Sequence, residues 1–138
     1  MADEHILMLQ KSFPVSMTAA VATGIEKGAV LKATDPNTAS ASTAANDIIA
    51  GIAYTEKIAN DGNPFVLVLS GPGDELRAVA SGSISMGDTL VTAVATTSPS
   101  NFLATAPINI SGSQIIGRSL ETATAGQTFR YVLNIGAR

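Results

Sequence analysis

The stretch Phe65-Val66-Leu67-Val68-Leu69, set between Asn60-Asp61-Gly62-Asn63-Pro64 and Ser70-Gly71-Pro72-Gly73-Asp74, decides the fold class. Five large apolar side chains in a row, bounded on both sides by turn-forming residues, read as a buried strand. Residues 76–80 follow with apolar Leu76, Ala78 and Ala80 separated by Arg77 and Val79, a second strand, so that residues 71–74 read as a hairpin loop. Residues 89–95 read as a third. Near the end, Phe129, Tyr131 and Leu133 fall on one face of a strand and Arg130, Val132 and Asn134 on the other. Helical signal is scarce. Residues 42–50 are Ala-rich with Ser42 or Thr43 as caps, but the run is short and passes into Ile48-Ile49-Ala50-Gly51-Ile52, which reads as strand. The Ser-, Thr-, Ala- and Asn-rich residues 35–46 read as an exposed loop, as do residues 96–101.

The order of these signals recurs. Ile48-Ile49-Ala50-Gly51-Ile52, then Glu56, Gly62 and Phe65-Val66-Leu67-Val68-Leu69 match Ile115-Ile116-Gly117-Arg118, then Glu121, Gly126 and Phe129-Arg130-Tyr131-Val132-Leu133. Each run has a glycine-spaced turn upstream, Gly24-Ile25-Glu26-Lys27-Gly28 in one and Gly82-Ser83-Ile84-Ser85-Met86-Gly87 in the other. Such turns need glycine for positive φ. The expectation is an all-β protein, a compact barrel or sandwich of two pseudo-repeated units at about residues 22–70 and 80–135, with at most one short helix. A single domain spans residues 20–138, preceded by an extended N-terminal arm or edge strand over residues 1–19.

Composition narrows the function. The chain has 138 residues, of which 46% are hydrophobic and only 14% charged, against about 25% charged in ordinary soluble domains. A surface poor in charge and rich in small side chains suits contact with partners. Eight basic residues against eleven acidic ones form no basic stripe, so nucleic acid is not an expected partner. No cysteine is present, which removes disulfides and thiolate metal sites. The apolar run at residues 6–9 is too short for a secretory signal or a membrane span, so the chain is expected to be soluble and made in the cytoplasm.

Catalytic residues are sparse. His5 is the only histidine and falls among terminal residues expected to be mobile, a poor base for a triad or a metal site. Asp74-Glu75 sits at the expected hairpin tip and reads as a solvated turn rather than a facing acid/base pair. Gly71-Pro72-Gly73-Asp74 has no Lys-Ser/Thr tail and no helix after it, so it is a turn and not a phosphate loop. Asp61 and Asp74 offer too few oxygens for calcium. No enzyme activity, cofactor or metal is expected.

The glycine turn running into Gly87-Asp88-Thr89-Leu90-Val91, then Ile115-Ile116-Gly117-Arg118-Ser119-Leu120-Glu121, Ala125-Gly126-Gln127 and Arg130-Tyr131-Val132-Leu133-Asn134, resembles small bacteriophage capsid cement, or head decoration, proteins over roughly residues 20–135. That resemblance implies a β-rich virion protein on the outer capsid surface, a homotrimer at threefold or quasi-threefold positions, with the major capsid protein as partner. The arm is less typical of the family. Its Ile6, Leu7, Met8, Leu9, Phe13, Val15 and Met17 are too apolar for a free tail, and two readings stay open. Either they bind a capsid subunit or a neighbouring protomer by strand addition, or they form the first strand of the domain's own sheet. Two other classes also fit the composition: a tail or baseplate component, and a small β-barrel ligand-binding module.

Overall fold

The computed structural model describes residues 4–35, 37–93 and 101–136. Among these the chain is all-β, with strands β1 (Ile6–Leu9), β2 (Val15–Thr18), β3 (Val30–Asp35), β4 (Thr38–Ala41), β5 (Ile49–Ala53), β6 (Phe65–Leu69), β7 (Glu75–Val79), β8 (Thr89–Thr92), β9 (Leu103–Thr105), β10 (Gly117–Ser119) and β11 (Thr128–Leu133). A single 3-10 turn, Gly112–Gln114, is the sole helical element among the described residues. Strands β2-β4-β3-β5-β6 close into a barrel, and β1-β7-β11-β10-β8-β9 form a six-stranded sheet.

The two sheets are built on one plan. Within the second, β7-β11-β10-β8-β9 repeats the order β2-β6-β5-β3-β4 of the first, and β1 is an added edge strand. The ends of each set meet in parallel, through Thr18↔Thr38 in one and Ala80↔Leu103 in the other. Backbone hydrogen bonds match in detail. Gly28 N–H donates to Ala53 O as Gly87 N–H does to Ser119 O, and the bridge Ile25↔Lys57 has its counterpart in Ile84↔Ala123. Both turn glycines have positive φ, 89° at Gly28 and 90° at Gly87, a backbone conformation in which other residues are strained.

These matches correct the register read from the sequence. Asn60 N–H donates to Val21 O as Gly126 N–H does to Ala80 O, so Asn60, at φ 59°, and not Gly62, is the counterpart of Gly126. Asparagine tolerates the left-handed region through its short polar side chain. Pairing of Ala53 with Val68 and of Ser119 with Tyr131 likewise makes Val66, and not Phe65, the counterpart of Phe129. The sequence alignment is therefore one residue out on the last strand.

Three local expectations also fail. Residues 71–74 are not a hairpin loop, because β6 pairs with β2 and β5 whereas β7 pairs with β1 and β11, so the segment crosses from one sheet to the other. The run at residues 42–50 forms no helix: Asp47 Oδ2 accepts from the Ser42 hydroxyl and from the amides of Thr43 and Ala44, which ties it into a compact turn. Residues 35–46 are not merely a loop, since they hold β4, with Ala39 and Ser42 buried. The expected loop at residues 96–101 lies outside the described residues except for Asn101, which is buried.

Apolar packing forms two clusters. Leu31, Ala39, Ala53, Val66 and Val68 fill the first barrel with Ala19, Ile25 and Ala29. The larger cluster joins Val30, Ile49, Ile52 and Leu69 of that barrel to Leu76, Ile84, Leu90, Leu103, Ile116, Phe129, Tyr131 and Leu133 of the second sheet. The two sheets thus share a core.

Candidate functional site

The N-terminal segment is divided between the sheets. Strand β1 pairs antiparallel with β7, with Ile6 opposite Arg77 and Leu7 opposite Leu76, while β2 pairs antiparallel with β6 through Val15↔Val68 and Thr18↔Phe65. Both are strands of the domain's own sheets. Leu7 packs against the shared core and Met17 against the core of the first barrel. Ile6, Met8, Leu9 and Val15 stay exposed, and Phe13, in the connection between the two strands, is 90% exposed.

Two buried polar groups fasten this segment. His5 is buried, contrary to the expectation of a mobile terminus. Its Nε2 lies 2.7 Å from the Asn101 carbonyl oxygen and its Nδ1 2.6 Å from the Tyr131 hydroxyl. A carbonyl can only accept, so Nε2 carries the proton and donates, and in the neutral ring Nδ1 accepts from Tyr131. The rings meet edge to face at 5.4 Å. Burial pushes the Tyr131 hydroxyl well above its usual pKa of 10.0, and the charge of Asp74 pushes in the same direction. Asp74 is fully buried rather than solvated, and its carboxylate accepts from the amides of Lys11 and Ser12 and from the Ser12 hydroxyl. One fastening lies before β1 and the other just after it.

The same strand pairing exposes two residues that sequence reasoning missed. Phe65 and Leu67 alternate with buried Val66 and Val68, so they point outward from the barrel beside Thr18 and Ser16, with Phe65 50% exposed. Five apolar residues in succession carry no signal of which face is wet, and only the closure of the barrel decides it.

An open cleft of about 640 Å³ runs beside β1, lined by Glu4, His5, Ile6, Leu7, Lys27, Tyr54 and Thr55. Both ring nitrogens of its histidine are already engaged, by Tyr131 and Asn101. Among the described residues no three His, Cys, Asp or Glu side chains gather to hold a metal ion. Exposed large apolar side chains lie on and between β1, β2 and β6, at Ile6, Met8, Leu9, Phe13, Val15, Phe65 and Leu67, and elsewhere at Ile48, Ile58, Met86 and Ile108.

No family model matches the chain, and no curated protein sequence matches it. Among solved structures, the chain is similar to the N base of the head fiber gp8.5 of bacteriophage phi29. The two are 21% identical, with a TM-score of 0.54, and the match covers 88% of this chain and 94% of that one. At that identity the likeness is one of fold.

Proposed function

We propose that this chain is a non-catalytic structural protein of a phage virion, which binds the outer surface of the assembled capsid and stabilises contacts between major capsid protein subunits, with copies associating as trimers. The observation that carries this reading is the fold shared over nearly the whole of both chains with the base of a phage head fiber. Exposed Phe13, Val15, Phe65 and Leu67 support a role in contact, since solvent-facing aromatic and aliphatic side chains gain free energy when a partner covers them. The mechanism needs no chemistry. A protein that binds the shell and not the dissociated subunits shifts the equilibrium toward the shell, by about 2.7 kcal/mol per site when its free concentration is about a hundredfold above Kd.

Mixing the purified protein with expanded, undecorated shells tests the proposal. Binding is expected to saturate at a fixed number of copies per shell and to raise the temperature at which shells dissociate. Phe13→Ser and Leu67→Ser are expected to weaken binding about tenfold or more while leaving the fold intact. Absence of saturable binding, or binding with no change in shell stability, refutes it.

A further inference from the structure

Two pairs of like charges stand side by side on this sparsely charged chain. On the outer face of the second sheet, Arg77 of β7 lies directly opposite Arg130 of β11, and Arg118 of β10 lies one strand further, opposite Val132. In the first unit, the antiparallel bridge Ile25↔Lys57 sets Glu26 and Glu56, the residues that follow and precede it, at neighbouring positions. Both glutamates are exposed, as are Arg77, Arg118 and Asp61 in the next turn. Like charges at facing positions destabilise an antiparallel pair, so neither arrangement serves the isolated monomer.

Compensation within the chain is partial. Arg130 donates to Glu75 at 2.7 Å through one terminal nitrogen, while its Nε is buried with no hydrogen-bond partner. Arg77 and Arg118 make no ion pair or side-chain hydrogen bond among the described residues, and neither do the carboxylates of Glu26 and Glu56. Glu121 sits near the arginines, its Oε1 taking the Arg130 amide, so three arginines face two carboxylates, Glu75 and Glu121. At the other patch Lys27 adjoins Glu26, and Lys57, next to Glu56, is buried with its ammonium donating to the Val21 and Thr23 carbonyls, so that two exposed carboxylates face one exposed ammonium. The corresponding strand pair of the first barrel carries Ser16 and Leu67 where the second has Arg77 and Arg130, so the charge is a property of one unit and not of the plan.

We infer that the arginine face of one copy docks on the Glu26–Glu56 end of a second copy. The two patches lie on different units, so the contact is head to tail, and a head-to-tail contact assembles a ring where its rotation closes. Arginine forks suit carboxylate pairs. This inference deepens the self-association in the proposed function but needs no shell.

A charge exchange tests it. Sedimentation velocity of the wild-type chain over a wide concentration range is expected to show association that falls away at about 1 M salt, where the screening length is about 3 Å. Arg77→Glu and Glu56→Lys are each expected to weaken association about tenfold or more, while each leaves the melting temperature of the monomer unchanged or higher, because each removes a like-charge pair. The double variant R77E/E56K is expected to recover association. A wild-type mass independent of concentration and salt overturns the inference, as do single variants that associate like wild type or a double variant no better than the singles. Loss of shell binding without loss of self-association in Arg77→Glu also overturns it, and assigns the arginine face to an acidic shell surface. Shell binding is measured separately on wild type, so failure of self-association leaves the proposed function standing or falling on its own result.

Discussion

The His5–Tyr131 contact couples the start of the chain to its last strand, and each group satisfies the other. His5→Leu keeps the bulk but leaves the Tyr131 hydroxyl and the Asn101 carbonyl without partners, and is expected to cost about 2–4 kcal/mol in urea unfolding. Tyr131 also sets an alkaline limit. Its folded pKa is raised, first by burial and then by Asp74, so the folded state holds its proton where the unfolded chain releases it. The stability this contributes is fully present below pH 10 and is lost as pH rises from there toward the folded value. Wild type is expected to lose up to about 1.4 kcal/mol per pH unit in that window. Tyr131→Phe is expected to be less stable at neutral pH, because His5 Nδ1 loses its donor, and to show a shallower alkaline decline. Equal alkaline slopes for the two proteins, measured by denaturant unfolding at stepped pH, count against this account.

Strand β10 runs so close to β11 that only glycine fits at its first position. A Cβ on Gly117 meets the Val132 carbonyl oxygen at 2.0 Å, a backbone atom that cannot swing aside. Gly117→Ala is expected to cost roughly 3 kcal/mol in thermal unfolding, more than Gly82→Ala, whose Cβ meets nothing within 4 Å and whose φ is not positive. Equal costs for the two substitutions refute the close approach. The same scale marks what was legible in the sequence. The strands at 65–69, 76–80 and 129–133 were legible, because turn residues flank long apolar runs or a clear alternation. Strand β4 was not, because Thr38-Ala39-Ser40-Ala41 buries only small side chains, and small polar residues signal loop and narrow-core strand alike. Burial of His5 and Asp74 was equally hidden. Each depends on partners far along the chain, Tyr131 and Asn101 for one, Lys11 and Ser12 for the other, and no local pattern encodes such a contact. Of the seven arm residues, the pattern gave their apolar character but not their division between a core-facing pair, Leu7 and Met17, and an exposed remainder.

A duplicated chain has two ways to be stable, as two independent units or as one. The first barrel's own cluster is four alanines with Ile25, Leu31, Val66 and Val68, too little apolar volume to offset the ordering of its backbone. Its larger side chains, Val30, Ile49, Ile52 and Leu69, point instead into the cluster shared with the second sheet. Strand β1 adds a further tie, since the chain enters the second sheet before it builds the first barrel. The molecule is therefore expected to unfold in a single transition, with the calorimetric enthalpy equal to the van't Hoff value. Ile52→Ala, at the seam, is expected to remove about 2–5 kcal/mol and to shift the melting of both units together. Amide exchange read separately on β3–β6 and β8–β11 checks this. The expected result is one common loss of protection, because a cavity at a shared core weakens whatever that core holds. Two transitions, or a loss confined to the first barrel, mean that the units are stable apart and that duplication supplied two domains rather than the halves of one.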